Sequence, residues 1–266
     1  MPTKAQSRKA DASERHTGIY IYGIVPEDVE LVPDTHGIGD PPGDVSLVRH
    51  GKLAAMVSEI DIGRPIGRPA ELKLHEHLLD ATAAADVPVL PMRFGAVVAS
   101  PEAVVEELLS PNHDLFVDAL KELDGRAEYV VHGRFVEDAI LAKVVSDNPT
   151  VASLREQLQD MDDEAAQDAR IELGETVNRA IEASRSNMTA KLIDTLDSFA
   201  LANAIRSPTS ELDAFHVAFL VELEREKEFA EAVEQLAAES DGLIKARTRG
   251  PMAAFDFIVT SKSNGN

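Results

Sequence analysis

The chain has 266 residues, of which 44% are hydrophobic, and its 47 acidic residues exceed its 26 basic residues to give a net charge of −21. A nucleic-acid backbone or an anionic membrane would repel so acidic a surface, which argues against general binding to either. The absence of cysteine excludes disulfides, thiolate nucleophiles and cysteine-based metal sites.

The first half of the chain predicts an α+β domain at 18–125, after a polar and lightly basic segment at 1–17 that predicts a disordered tail. The β-branched and aromatic run GIYIYGIV at 18–25 predicts a strand, and Pro26 ends it. The further elements are a hairpin at 45–60 that turns near His50-Gly51-Lys52, a helix at 70–86, a strand-like run at 87–98, and helices at 101–110 and 113–123.

The second half predicts a ferredoxin-like domain at 126–262. Its elements are a strand at 127–136, helices at 137–146 and 150–158, a long helix at roughly 163–198, strands at 199–205 and 214–223, a helix at 224–240, and strands at 243–250 and 254–259. The order β, helices, β, β, α, β is that of the ferredoxin-like βαββαβ fold, here modified by a long helical insertion and an extra last strand. The predicted fold class is therefore α+β with two domains.

The triplet His75-Glu76-His77 lies in the predicted helix at 70–86 and looks like a metal site. Side chains two positions apart on a helix point about 200° apart, so the two imidazoles face away from each other. A metalloprotease helix places its histidines four positions apart, and the residue four positions after His75 is Leu79. A partly buried packing histidine is the favoured interpretation, and no metal or other cofactor is predicted.

Two other motifs resemble ligand-binding loops only superficially. The loop GIGDPPG at 37–43 is followed by no predicted helix, and Asp40 would repel a phosphate. The acidic cluster at 160–168 lacks the alternating oxygen ligands and the glycine of a calcium loop. Neither motif predicts a binding site.

The run VPVLPMRFGAVV at 87–98 contains a single charge, Arg93. In an extended chain the side chains alternate between two faces, so Arg93 points away from the face of Met92 and Phe94. No base or nucleophile accompanies Arg93, which disfavours a catalytic role. A partly buried ion pair with Glu76 of the preceding helix is our hypothesis for this arginine.

Several blocks of the sequence carry a family resemblance: YIYGIV near the start, HEH followed by VLPMRFGAVV, AFLVE followed by EF, and the terminal RGPMAAFDFIV. On these blocks the chain resembles the gas vesicle protein F/L family (GvpF/GvpL) over nearly its whole length, and LPMRFG with the upstream His-Glu is the most specific block. The motif residues are Tyr22, Gly23, His75, Glu76, Pro91, Arg93, Phe94, Gly95, Gly250, Pro251 and Phe255. Ala253 and Ala254 stand where the family usually has two prolines, which predicts a less restricted turn before the last strand.

The resemblance implies a two-domain α+β protein whose second domain is a modified ferredoxin-like fold, in agreement with the order of elements. It implies a non-enzymatic accessory or minor structural protein of gas vesicles, located at the gas vesicle in the cytoplasm. The implied partners are the small hydrophobic shell protein GvpA and other gas vesicle accessory proteins. The implied role is to limit the aggregation of GvpA during nucleation and assembly. The family brings no cofactor and no catalytic residue, and neither nucleic acid nor a lipid membrane is an expected partner.

A β-rich and aggregation-prone client can be bound when it adds a strand to an open sheet edge. We expect such edges at 18–25 and 254–259, with the net charge of −21 keeping the complexes apart. We expect lysine in place of Ile21 or Ile258 to weaken capture of the shell protein.

Two alternatives remain open at the level of sequence. A metal-dependent or small-molecule-binding enzyme would use His75, His77 and Arg93 together with scattered carboxylates. A regulatory module would bind a small molecule on the ferredoxin-like domain, an interpretation that rests on fold analogy alone.

Overall fold

The computed structural model describes residues 17–31, 35–161 and 166–258. Several predicted features lie partly outside the described residues: the tail except for Thr17, residues 162–165 of the acidic cluster and of the start of the long helix, Val259 of the last predicted strand, and residues 260–262 of the second domain. Thr17 is already the first residue of a strand.

The described residues pack into two compact units. The first contains the described residues up to Ala81 together with Val89–Lys121, and the second contains Thr82–Pro88 together with the described residues from Glu122 onward. Within the ranges that the structure describes, no helix is both long enough and apolar enough to cross a membrane.

The first unit is built on a five-stranded sheet and a small two-stranded sheet. Its strands are β1 (Thr17–Pro26), β2 (His36–Gly39), β3 (Pro42–Asp44), β4 (Ser46–His50), β5 (Leu53–Asp61), β6 (Leu90–Pro91) and β7 (Val97–Val98). Its helical elements are most of α1 (Pro69–Ala84), α2 (Pro101–Ala103), the π-helical turn Val104–Leu109 and most of α3 (His113–Leu123). In the large sheet the order is β4-β5-β1-β6, with β7 also paired to β1, and every pair is antiparallel.

β1 lies in the middle of this sheet, between β5 on one side and β6 and β7 on the other. All residues from Gly18 to Val25 are buried, so both faces of the strand are covered. The prediction that 18–25 offers an open edge is therefore wrong. A run of consecutive apolar residues without alternation is typical of a strand whose two faces are both covered, and it does not indicate the position of the strand within its sheet.

The segment 87–98 is not one strand. Between β6 and β7 the chain turns, and the N–H of Ala96 donates to the carbonyl oxygen of Arg93 at 3.2 Å. The turn ends the alternation of faces and leaves the Arg93 side chain exposed. Glu76 is exposed as well, and among the ion pairs between described residues none joins it to Arg93. The predicted partly buried Glu76–Arg93 pair is therefore wrong.

The second unit contains a four-stranded sheet with the order β11-β8-β10-β9, again with every pair antiparallel. Its strands are β8 (Arg126–Phe135), β9 (Ala202–Ile205), β10 (Asp213–Glu222) and β11 (Ile244–Met252). Its helices are α4 (Glu137–Asp147), α5 (Pro149–Asp160), α6 (Ala166–Leu196) and α7 (Glu226–Ala238), with 3-10 turns at Leu223–Arg225 and Phe255–Phe257.

The two faces of the second sheet have different surroundings. Tyr129, Val131 and Phe219 share one core cluster with Leu192 of α6 and Phe229 of α7. Residues of the other parity point to the opposite face, because side chains alternate along a strand. The helices therefore cover one face of this sheet.

The predicted extra strand at 254–259 is wrong. β11 ends at Met252, and Phe255–Phe257 form a 3-10 turn. The reason is a side-chain contact: the N–H of Asp256 donates to Oε2 of buried Glu128 at 2.9 Å instead of to a neighbouring strand.

Candidate functional site

Three of the motif blocks meet at His75 in the first unit. The Tyr20 hydroxyl, on β1, lies 2.9 Å from Nδ1 of His75, on α1. Nε2 of His75 lies 3.2 Å from the carbonyl oxygen of Met92, and the N–H of Gly95 donates to the Tyr20 hydroxyl at 3.3 Å. His75 is only 1% exposed, so these polar contacts join three distant segments in an apolar interior.

The partners of His75 determine which ring nitrogen carries the hydrogen. The Met92 carbonyl can only accept, so Nε2 donates to it and Nδ1 accepts from the Tyr20 hydroxyl. Burial lowers the pKa of His75, although the hydrogen bond to Met92 opposes this effect. The imidazole is thus neutral at neutral pH, and both ring nitrogens are already engaged. The arrangement stabilises a local structure and offers neither a metal ligand nor a free base.

Aromatic rings surround the imidazole. Tyr22 stacks on His75 with ring centroids 5.8 Å apart, and Phe94 meets His75 edge-on at 5.6 Å. The Tyr22 hydroxyl accepts the N–H of Ile38 at 2.7 Å and lies 2.8 Å from the hydroxyl oxygen of Ser58. Burial raises the pKa of Tyr22. The hydroxyl groups of this aromatic cluster are therefore buried but satisfied.

Glu71 fixes the start of α1, the helix that carries His75. Its Oε2 accepts the N–H groups of Gly67 at 2.9 Å and Arg68 at 3.0 Å, and its Oε1 accepts from Arg64 at 2.7 Å. The hydrogen bond from Gly67, followed by those from Arg68 and Arg64, outweighs burial and lowers the pKa of Glu71 to about 2. A glutamate that reaches back to free N–H groups in this way caps the helix.

Gly95 makes the turn after β6 possible. Its φ is +94°, a value that residues with side chains rarely adopt, and it occupies the third position of the turn from Arg93 to Ala96. Contacts on both sides hold the turn, through Met92 to His75 and through Gly95 to Tyr20. These contacts therefore fix the backbone of the turn that carries the exposed Arg93 side chain.

The alternative site built from His75, His77 and Arg93 is not assembled. His75 is buried, whereas His77 and Arg93 are exposed. Among residues 17–31, 35–161 and 166–258, no group of three or more histidine, aspartate or glutamate side chains is placed to hold a metal ion.

The remaining motif residues occupy different places. Gly23 pairs with buried Pro91 across β1 and β6. Gly250 lies on β11 with φ +156°, and a Cβ there would stand 2.4 Å from Cδ1 of Tyr129. Pro251 follows it on β11, and Phe255 begins the last 3-10 turn.

A buried carboxylate connects the end of the chain to the second sheet. Oε1 of Glu128 contacts Arg206, whose Nε also contacts Oδ2 of Asp256 at 2.6 Å. Glu128 is fully buried, and these contacts attach the segment after β11 to β8 and to the end of β9.

A second buried carboxylate is Asp213, at the start of β10. Its Oδ2 accepts from the N–H and the hydroxyl of Thr209 at 2.6 and 2.9 Å, and its Oδ1 lies 3.0 Å from Nε2 of His132. Burial acts to raise the pKa of Asp213, but the hydrogen bonds from Thr209 and the contact with His132 outweigh it and leave that pKa lowered.

Comparison with known proteins accounts for the motif blocks. A family model described as "Gas vesicle synthesis protein GvpL/GvpF" matches residues 18–259. The chain belongs to the GvpL/GvpF family. This family consists of gas vesicle structural and accessory proteins and is not known as a family of enzymes, so the chain has a gas vesicle-associated role.

Individual members of the GvpL/GvpF family match along nearly all of their length. Gas vesicle protein F of Streptomyces sp. (strain CB03234) is 31% identical over 243 residues, which cover 90% of this chain and 98% of the relative. Gas vesicle protein L of the same strain is 28% identical over 267 residues, covering 90% and 91%. The crystal structure of GvpF from Anabaena sp. PCC7120 superposes with a TM-score of 0.73 at 24% identity, covering 90% of this chain and 97% of that one, and so shares the mixed α+β fold.

Sequence reasoning missed the residues that make the GvpL/GvpF motifs intelligible. Tyr20 is absent from the predicted motif residues, although alternation in IYIYG places it on the same strand face as Tyr22. Glu128 carried no local signal, because Arg206 and Asp256 come from segments that only the fold brings together. Glu71 and Asp213 bond to residues three to seven positions earlier, so for these two a local capping or turn pattern was the available signal.

Proposed function

We propose that the protein binds the hydrophobic shell protein GvpA, limits its aggregation and assists gas vesicle nucleation and assembly in the cytoplasm, together with other accessory proteins. The observation that carries the proposal is the GvpL/GvpF match over residues 18–259. We also propose the two-domain division, with a modified ferredoxin-like second domain whose long insertion is α4–α6. The strand order β11-β8-β10-β9 supports this assignment.

A protein that restrains an apolar client needs an accessible apolar surface on a body that repels its own copies. The net charge of −21 supplies the repulsion. The edge strand β9 offers the surface, because Leu201 and Ile205 beside and within it are 50% and 66% exposed. Soluble proteins usually protect a sheet edge with charged side chains, and residues 201–205 contain none.

An apolar groove adjoins β9. A cavity of about 370 Å³ lies between this edge and α6, lined on its apolar side by Ala190, Ile193, Ile205 and Phe215. A strand added to β9 would place alternate side chains over this groove. We propose that GvpA binds here, with backbone hydrogen bonds to β9 and apolar side chains in the groove.

A pull-down with purified GvpA tests this assignment. The double variant Leu201→Lys/Ile205→Lys is expected to retain less than about one tenth of the captured shell protein, because two charges in an apolar contact must be desolvated. The matched control is Ile171→Lys on α6, since Ile171 is 55% exposed in the same unit but does not line the groove.

The control variant is expected to capture GvpA as the unmodified protein does. Equal capture by the double variant and the unmodified protein would remove β9 as the binding edge. No capture of GvpA by the unmodified protein would contradict the proposed function itself.

A further inference from the structure

Basic residues are concentrated on the face of the second sheet that points away from α6 and α7, on the same side as the 3-10 turn Phe255–Phe257. Lys245, Arg247 and Arg249 alternate along β11, and all three are exposed. Arg247 pairs in register with His132 and Lys245 with Arg134, so these five side chains share one face. This cationic face stands out on a chain in which acidic residues exceed basic residues by 47 to 26.

No ion pair within the described part of the chain includes Lys245, Arg247 or Arg249. Neighbouring arginines differ in this respect. Arg206 is held by Glu128 and Asp256, and Nε of Arg134 lies 4.0 Å from Oδ1 of Asp213. The β11 side chains are therefore available to an external anion.

Two cavities lie on this face. One, of about 680 Å³, is lined by His132, Arg134, Lys245 and Arg247. Its two carboxylates are Asp213, which already accepts from Thr209, and Glu137, the first residue of α4. The other, of about 250 Å³, is lined by Val130 and by six polar side chains with no carboxylate among them: Arg206, Arg247, Arg249, His132, His216 and Thr209. The face is thus concave as well as cationic.

We propose that this cationic face binds an extended acidic segment of a protein partner. Alternate residues of a strand are about 7 Å apart, so Lys245, Arg247 and Arg249 form a row that spans about 14 Å. A single small anion would occupy only part of such a row, whereas carboxylates at alternate positions of an extended peptide match its spacing. Arginine also binds carboxylates with two parallel hydrogen bonds, which favours this ligand.

Protection of a sheet edge is the simpler explanation for basic residues on β11, since edge strands commonly carry lysine to prevent pairing. That explanation concerns the edge strand alone. It does not account for His132 and Arg134 on β8 or His216 on β10, which line the same cavities from interior strands. Basic side chains from three strands thus line the same face, and an anion could bind them whether or not GvpA binds elsewhere on the protein.

The test measures fluorescence anisotropy of a labelled peptide of about ten residues with alternating glutamate and serine, titrated with the full chain. We expect binding that weakens as salt rises, because the contacts are charge pairs at the surface. The variant Lys245→Gln/Arg247→Gln/Arg249→Gln is expected to bind about tenfold more weakly.

The matched control is Lys73→Gln/Lys191→Gln/Lys227→Gln, which removes the same charge from exposed positions elsewhere and is expected to bind as the parent does. Inorganic phosphate and a single-stranded oligonucleotide serve as competitors and are expected to displace the peptide poorly. Equal loss in both triple variants, no binding of the acidic peptide, or tighter binding of the oligonucleotide would each overturn the proposal.

Discussion

The Tyr20 hydroxyl donates a hydrogen bond to Nδ1 of His75 at 2.9 Å, across 55 positions of sequence. The same hydroxyl accepts the N–H of Gly95, so one side chain connects β1, α1 and the turn after β6. In this family member the conspicuous histidine of HEH is therefore part of the scaffold, and its chemistry is that of a buried hydrogen-bonded group.

Replacing Tyr20 by phenylalanine leaves Nδ1 of His75 and the N–H of Gly95 without this partner in a buried place. We expect the free energy of unfolding, measured by urea denaturation, to fall by about 1–3 kcal/mol. Tyr129→Phe is the control, because the buried Tyr129 hydroxyl interacts with Glu226 but makes no hydrogen bond of normal geometry with the described residues. Equal losses in the two variants would contradict the assigned network.

The pH dependence of stability tests the neutral state of His75. Its pKa is lowered in the folded protein, so the unfolded chain binds a proton first as the pH falls. The contribution of the neutral His75 side chain to the free energy of unfolding is therefore fully present above the ordinary histidine pKa of about 6.5, and it is lost as the pH falls below that value. Urea denaturation of the protein and of His75→Gln between about pH 8 and pH 5 should show a steeper decline for the unmodified protein. Parallel curves would contradict burial of a neutral imidazole.

Glu71→Gln tests the capping of α1. We expect a loss of about 1 kcal/mol at neutral pH, because the two backbone N–H groups and Arg64 lose a charged acceptor. The folded-state pKa of Glu71 is about 2, so its stabilisation is present above the unfolded value of 4.5 and is lost as the pH falls towards 2. Urea denaturation at a series of pH values measures the difference. The control Glu76→Gln changes an exposed residue of the same helix, and a loss as large as that of Glu71→Gln would argue against the cap.

Two glycine substitutions should act in opposite directions. Gly95→Ala places a side chain at φ +94° and is expected to destabilise the protein by about 1 kcal/mol or more. Gly174→Ala lies inside α6 with open space around it and is expected to stabilise the protein by about 0.5–1 kcal/mol. Thermal unfolding of both variants checks the sign, and a stabilising Gly95→Ala would show that the turn is not held as described.

Most helices and strands could be predicted from the sequence because their signals are local. The long helix α6, the hairpin of β4 and β5, and α7 all follow from periodicity, propensity and turn residues. The order of strands in a sheet is not local. The unbroken apolar run at 18–25 therefore predicts burial of both faces of β1 but not its position in the middle of the sheet.

The prediction of a last strand at 254–259 is wrong for a similar reason, a contact between residues that are far apart in the sequence. Residues 254–259 have a strand-like composition, but the N–H of Asp256 bonds to the side chain of Glu128, which lies 128 positions earlier. No sequence pattern predicts a hydrogen-bond partner at such a separation. The motif residues could be identified from the family resemblance. The link between His75 and Gly95 through the Tyr20 hydroxyl could be seen only in the structure.

Light scattering of GvpA diluted from denaturant, with and without an equimolar amount of this protein, measures whether the protein limits aggregation of the shell protein. The proposed function predicts that the protein suppresses the scattering, that Leu201→Lys/Ile205→Lys does so much less, and that Ile171→Lys suppresses it as the unmodified protein does. Scattering that rises equally with and without the unmodified protein would contradict the account.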